Sequence, residues 1–166
     1  VVGGIVAANV NTQVTASSIS VDGASVFISD DLKVSAANAV QLNTLVNSLS
    51  AESTSSGNVS INEADDLYVE KVWAANGSVT VASGGMLWAR DVYNLVDGAG
   101  KDVTLRSTKN MYIDAVEAGV LAGAQKANGS VVLDTAGTLY ELPRLIRKAS
   151  GVVVLPATVS SGTTYG

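Results

Sequence analysis

The sequence contains no cysteine and no histidine, and only two of its 166 residues are proline. Without cysteine no disulfide can form, which fits secreted bacterial repeat proteins that are stabilised by their length instead. Histidine and cysteine are also common acid–base groups and nucleophiles of enzymes, so their absence leads us to expect a protein that is not an enzyme. Charged residues make up only 15% of the chain, which predicts a surface coated by Ser, Thr and Asn.

Basic residues and long apolar runs are scarce as well. Fifteen acidic residues against ten basic ones give a net charge of −5, which argues against nucleic acid as a partner. No apolar run approaches the roughly 20 residues of a membrane span, so we expect no membrane insertion. Neither a signal peptide nor an initiator Met opens the sequence, and we therefore expect a processed product or an excised piece.

What the sequence does contain is a repeat between Gly57 and Leu142. Four copies each carry two three-residue segments that begin with an apolar residue, and the second segment begins eight residues after the first. The copies begin 20, 24 and 28 residues apart. The paired segments are Val59–Ile61 and Leu67–Val69, Val79–Val81 and Leu87–Ala89, Val103–Leu105 and Met111–Ile113, and Val131–Leu133 and Leu139–Glu141. Constant spacing inside the copies and variable spacing between them predict a solenoid with loops of different lengths.

Alternation within these segments predicts that the solenoid is all-β. Successive side chains of a strand point to opposite faces, so equivalent positions of stacked rungs form columns. One predicted column is aliphatic and points inward: Ile61, Val81, Leu105 and Leu133. The neighbouring column points outward and consists mostly of hydroxyl residues: Ser60, Thr80, Thr104 and Val132. We predict a parallel β-helix of about six to eight rungs. A β-sandwich is the main alternative, but antiparallel hairpins would not explain the constant offset of eight residues.

We expect a single domain over 1–166. It is divided into an N-terminal rung or cap at 1–21, regular rungs at 22–142, and a C-terminal strand and tail at 143–166. Within the last region, the apolar residues 152–155 predict the final strand, and the rest reads as tail. Neither end shows an amphipathic capping helix, so we expect strand edges that are open to stacking.

Two similar runs place the rungs that precede the repeat. Asp30–Val34 and Asp65–Val69 share the pattern Asp-Asp-Leu-x-Val, 35 residues apart, and are interpreted as equivalent positions with one further rung between them. Ala24 and Val26 are expected to form the first segment of the rung that contains Asp30–Val34.

Residues 39–51 would supply the intervening rung and admit two interpretations. Four apolar residues there follow the i, i+3, i+4, i+7 spacing of a helix: Leu42, Leu45, Val46 and Leu49. The β-rich neighbours and the Ser-Thr-Ser-Ser-Gly turn that follows match the rhythm of a solenoid instead. We therefore favour strands over a short helix.

The second position of the second segment is aromatic in all four copies. These residues, Tyr68, Trp88, Tyr112 and Tyr140, are predicted to lie on the outer wall, and we call them the aromatic column. Trp73 and Tyr93 form a second aromatic pair at matching places. The rings can simply stiffen the solenoid, since stacked pairs contribute about 0.5–1.5 kcal/mol each. Alternatively, the six residues form a surface for lateral packing of filaments or for stacking of carbohydrate.

Carboxylates at the rung corners are candidate calcium ligands: Asp30, Asp31, Glu63, Asp65 and Asp66. The sequence has no Gly-Gly-x-Gly-x-Asp repeat, and later rungs replace the acidic pair by Gly85–Met86, Lys109–Asn110 and Gly137–Thr138. We therefore interpret these carboxylates as solvated corners and expect no metal and no cofactor.

Three segments resemble the repeats of filamentous-haemagglutinin-like adhesins, which are large secreted bacterial surface proteins: Leu42–Ala51, Gly57–Val69 and Asn76–Leu87. The resemblance covers about 22–142 and implies a right-handed parallel β-helix outside the cell. The long loops after Val92 and Val116 depart from a monotonous stalk repeat. The motif is typical of the repeat class and does not specify a ligand.

Together these features predict a structural or adhesive module of an extracellular bacterial surface fibre. Its expected partners are further copies or neighbouring segments of the same fibre, joined head to tail or laterally, and host or matrix glycans. The alternative is a carbohydrate-binding β-helix that uses the aromatic column. A polysaccharide-degrading β-helix is the weakest hypothesis, because the charged residues it would need fall at different heights and faces.

Overall fold

The computed structural model describes residues 6–7, 11–21, 23, 25–120, 129–141, 146–148, 151–153 and 163–165. These residues form strands and turns without an α-helix. The strands are β1 (Val6–Ala7), β2 (Thr12–Ala16), β3 (Ile19–Ser20), β4 (Phe27–Ala36), β5 (Val40–Ser53), β6 (Val59–Glu63), β7 (Leu67–Ala74), β8 (Val79–Ser83), β9 (Leu87–Asn94), β10 (Val103–Ser107), β11 (Met111–Ala118), β12 (Val131–Thr135), β13 (Leu139–Glu141), β14 (Ile146–Lys148), β15 (Gly151–Val153) and β16 (Thr163–Tyr165). In this part of the chain, no helix is long and apolar enough to cross a membrane.

Parallel pairing coils these strands into a β-solenoid of about five turns. One wall runs in the order β5-β6-β8-β10-β12, and the other in the order β4-β5-β7-β9-β11-β13. The predicted fold class is confirmed, but the turns are fewer than the six to eight predicted. Strands β15 and β16 run antiparallel to their neighbours and add no turn.

Each regular turn has three sides, as the burial of the β6–β7 turn shows. Side chains alternate between buried and outward along β6 and along the first part of β7, and then Glu70 and Lys71 both point outward. Burial resumes at Val72 and Ala74. Two successive outward residues require a bend, so β7 crosses a corner and contributes to two sides. Strands β9 and β11 repeat this arrangement.

The predicted columns form the core. Ile61, Val81, Leu105 and Leu133 pair in register from turn to turn, as do Leu67, Leu87, Met111 and Leu139. Every one of these side chains is at most 2% exposed. At about 25 cal/mol per Å² of buried apolar surface, this continuous aliphatic column stabilises the solenoid without disulfides.

Residues 39–51 fall almost entirely within the single strand β5, so the predicted rung between the two Asp-Asp runs is confirmed and the helical alternative is wrong. Leu42 and Leu49 are buried, while Leu45 points outward. The helical spacing arose because β5 turns corners within its 14 residues, which changes which residues face inward.

Two register predictions near the N-terminus are wrong. The buried residues that precede Leu32 are Ser25, Phe27 and Ser29, whereas Val26 is only half-buried and lies before β4; Ala24 lies outside the described residues. The runs Asp30–Val34 and Asp65–Val69 are not equivalent either. Leu32 pairs with Leu49, which pairs with Val69 and not with Leu67.

At the C-terminal end, antiparallel strands are added to the parallel sheet. Strand β14 adds to β11 and turns back as β15, and β16 lies antiparallel against β12. The predicted final strand 152–155 corresponds in part to β15, and its last two residues lie outside the described residues. The expectation that the last residues form only a tail is wrong for β16, which covers the edge of β12. The expectation that strand edges are open to stacking therefore does not hold for the edge of β12 that pairs with β16.

Asx side chains and glycines alternate from one turn to the next at two corners. Asn58 and Asp66 in the β6–β7 turn accept hydrogen bonds from the backbone N–H groups of Ser78 and Met86 one turn later, at 3.0 and 2.7 Å. Asp102 and Asn110 repeat this for Ser130 and Thr138, at 2.8 and 3.0 Å. A glycine stands immediately before each donor: Gly77, Gly85, Gly129 and Gly137. A Cβ atom on any of them would lie within 2.0–2.6 Å of the preceding turn.

Candidate functional site: aromatic columns and a groove

The parallel register aligns the four residues of the aromatic column. Tyr68 pairs with Trp88, Trp88 with Tyr112, and Tyr112 with Tyr140. All four lie on the outer wall, where Trp88 and Tyr140 are each 40% exposed and the other two are half-buried. The predicted placement on the outer wall therefore agrees with the structure.

Within the column the rings pack mainly against one another. Tyr112 and Tyr140 are stacked at 4.7 Å with 9° between their planes, and Trp88 and Tyr112 at 5.5 Å with 28°. Tyr68 meets Trp88 edge-on at 5.9 Å and 63°. Because the contacts follow the solenoid axis, the two inner rings, Trp88 and Tyr112, each have a ring neighbour on both sides.

The second aromatic pair lies on the next side of the solenoid and is polar at its margins. Trp73 and Tyr93 stack at 6.0 Å and 13°. The Nζ atom of Lys71 lies 5.4 Å from the Tyr93 ring centroid, and a hydrogen bond with Tyr93 raises the pKa of Lys71. Trp73 Nε1 donates to Glu52 at 3.0 Å, and Ser35 donates to the other oxygen of that carboxylate at 2.7 Å. This pair thus belongs to a hydrogen-bonded network.

Both aromatic arrays end at the same turn. Below Tyr68 the column continues through Ser48 and Asp31, and below Trp73 it continues through Glu52 and Ser35. These side chains are smaller than the rings, so the outer surface drops by a step between β7 and β5. Tyr68 and Trp73 stand at the edge of this step.

A groove lies at the foot of the step. Its larger part has a volume of about 500 Å³ and is lined by side chains that include Lys33, Ser50, Lys71, Trp73 and Arg90. A smaller part of about 270 Å³ reaches Tyr68. Lys33, Ser50 and Glu70 line both parts, so the two form one depression along the strands.

A β-bulge accompanies the step. Leu49 pairs with Val69 and Ser50 with Lys71, which leaves Glu70 as the extra residue on β7. Strands β4 and β5 lack this extra residue, and at the same position their side chains alternate between buried and outward without interruption. Bulges re-aim neighbouring side chains and are frequent next to functional sites.

The candidate calcium ligands are held by hydrogen bonds within the protein. Asp30 and Asp31 on β4 accept hydrogen bonds from Asn47 and Ser48, and Asp66 accepts one from Met86 N. Lys109 Nζ lies 3.4 Å from the same Asp66 carboxylate. Over the described residues, no group of three or more Asp or Glu side chains is placed to hold a metal ion.

Glu63 differs from the other carboxylates because it faces the core and is 2% exposed. Burial raises its pKa above the ordinary value of 4.5, although the N–H groups of Val46 and Ala64 donate to it at 3.2 and 2.9 Å. The prediction that Glu63 lies at a solvated corner is wrong. The sequence does carry a signal for it, because the equivalent positions from β5 to β12 are all polar and form a buried column: Thr44, Glu63, Ser83, Ser107 and Thr135.

Comparisons with protein-family models, curated proteins and solved structures found no match. The resemblance to filamentous-haemagglutinin-like repeats is therefore supported at the level of the parallel β-solenoid, without a family assignment.

Proposed function

We propose that this chain is a structural module of an extracellular bacterial surface fibre. The observation that carries the proposal is the aromatic column, in which four rings from successive turns pack along the solenoid axis at 4.7–5.9 Å. Such contacts tie each turn to the next outside the core and make a rod resistant to separation of its turns. The low charge and the hydroxyl-rich outer columns suit exposure without a disulfide framework.

The orientation of the rings favours this role over carbohydrate binding by the same column. Sugars stack on ring faces, and the faces of Trp88 and Tyr112 are turned toward neighbouring rings. The exposed parts of Trp88 and Tyr140 form an apolar stripe that suits lateral packing against a second rod.

Lateral packing is also favoured over head-to-tail assembly. Strand β16 covers β12, and the β14–β15 pair covers part of β11. A second copy that continued the parallel sheet at this end would have to displace these antiparallel strands. We therefore propose that the chain associates side by side in the fibre.

Electron microscopy at increasing protein concentration tests this role. We expect rods that associate laterally in the wild type and stay separate in the double variant Trp88→Ser/Tyr140→Ser. The matched control is Thr80→Ser/Thr104→Ser, on another outward column, which should associate like the wild type. Monomers at every concentration, or end-to-end filaments that persist in the aromatic variant, would contradict lateral assembly.

A further inference from the structure

We infer that the groove between β4, β5, β7 and β9 binds a neutral oligosaccharide. This inference does not depend on the proposed structural role, because the groove lies at the lower end of the aromatic arrays. It uses one ring, Trp73, whose surroundings differ from those of the aromatic column.

Trp73 lines the groove and has one ring partner, Tyr93, among the described residues. Tyr93, from the following turn, stacks on one side of the indole. In the preceding turn, the residue paired with Trp73 is Glu52, which is not aromatic. The Nε1 atom of Trp73 is held by Glu52 at 3.0 Å. The indole is therefore fixed at its edge, and we place the sugar ring on the side of the indole away from Tyr93.

The polar side chains around the indole suit hydroxyl groups. Cations and anions line the groove in equal number: Lys33, Lys71 and Arg90, and Glu52, Glu70 and Asp91. A sugar hydroxyl donates and accepts at once, so it can pair with both kinds of group. The balanced lining favours neither a polyanion nor a polycation, which argues for a neutral ligand.

A peptide fits the groove less well than a saccharide. Extended peptides are usually bound by strand addition, which needs unpaired backbone N–H and C=O groups at a sheet edge. The floor of this groove is the face of β4, β5 and β7, whose backbones pair with one another. Recognition must therefore come from side chains. The length of the depression, from Tyr68 to Trp73 along the strands, suits several sugar units in a row.

The two tryptophans of the chain allow a direct test. Trp88→Phe leaves Trp73 as the only tryptophan, and Trp73→Phe leaves only Trp88 as the matched control. Each variant is titrated with cellohexaose, maltohexaose and chitohexaose, and with hexagalacturonate as an acidic oligosaccharide. We expect a saturable change in the emission of Trp88→Phe with at least one neutral hexasaccharide below about 10 mM, and no change with Trp73→Phe.

A second pair of variants checks the polar wall. Lys33→Ala, in the groove, should weaken binding by about tenfold, whereas Lys109→Ala, outside it, should leave the affinity unchanged. Melting curves confirm that each variant is folded. The inference is overturned by no response to any neutral sugar, by a response only to hexagalacturonate, or by a response of Trp88 in Trp73→Phe, which would place binding at the aromatic column.

Discussion

Tyr112 occupies the position in the aromatic column where the loss of one ring should cost most. It stacks on Trp88 on one side and on Tyr140 on the other. Replacing it by threonine keeps a β-branched, half-polar residue that suits an outward strand position, so the change removes ring contacts without disfavouring the strand. At about 0.5–1.5 kcal/mol per ring pair, Tyr112→Thr should lower the free energy of unfolding by about 1–3 kcal/mol.

Tyr140→Thr provides the internal comparison, because Tyr140 has one ring partner, Tyr112, among the described residues. Its loss should cost about half as much, about 0.5–1.5 kcal/mol. Combining the two changes should cost less than their sum, since the contact they share can be lost only once. Thr104→Ser is a control on another side of the solenoid and should stay within about 0.5 kcal/mol of the wild type.

Urea unfolding followed by circular dichroism measures these differences, and thermal melting gives a second reading. For a chain of this length, a loss of 1 kcal/mol corresponds to roughly 2–4 °C, so Tyr112→Thr should melt about 2–12 °C lower. Equal effects of Tyr112→Thr and Tyr140→Thr, or strict additivity in the double variant, would refute the idea that the rings stabilise the rod through stacking.

Three further predictions concern the core and the corners. The raised pKa of Glu63 means that its carboxyl group holds a proton more tightly in the folded protein than in the unfolded chain. The stability that this group contributes at acid pH should therefore fall as pH rises above about 4.5 through the folded pKa. Glu63→Gln should flatten this part of the curve of unfolding free energy against pH, and an unchanged slope would contradict the prediction. Gly77→Ala should destabilise the protein, because its Cβ would lie 2.1 Å from the carbonyl oxygen of Gly57, whereas Gly23→Ala meets nothing within 4 Å and should melt like the wild type. Leu105→Ala leaves a cavity in the fully buried column and should cost about 2–5 kcal/mol in urea unfolding, and a loss below about 1 kcal/mol would argue against tight packing there.

The regular part of the fold could be predicted from the sequence because its copies have the same internal length. The constant offset between Val59 and Leu67, and between their equivalents, sets both the register of the core and the alignment of the aromatic column. The inward columns that contain Ile61 and Leu67 are apolar in every turn of the repeat, which leaves little freedom for another register.

The groove could not be predicted in this way because it lies where the internal length changes. The runs Asp30–Val34 and Asp65–Val69 share residue types, but Leu32 aligns through Leu49 with Val69, and the extra residue Glu70 shifts the pairing beyond it by one more residue. Leu49 and its partner Val69 are both buried, so the apolar pattern up to this pair gives no sign of the extra residue that follows. The polar inward position of Glu63 escaped for a related reason, since a carboxylate is seldom expected in a core.

The alternation of Asx residues and glycines at the corners limits how this rod can change in length. A turn with Asn58 and Asp66 needs a glycine-bearing turn after it, because a side chain at Gly77 or Gly85 would collide with the turn before. Deleting the single turn β8–β9 would place β10–β11, which has Lys101 and Lys109 at those positions, directly on β6–β7. Removing β8 to β11 together would instead bring Gly129 and Gly137 to the positions that Gly77 and Gly85 occupy now. Between β6 and β13, we therefore expect removal of two consecutive turns to be tolerated better than removal of one.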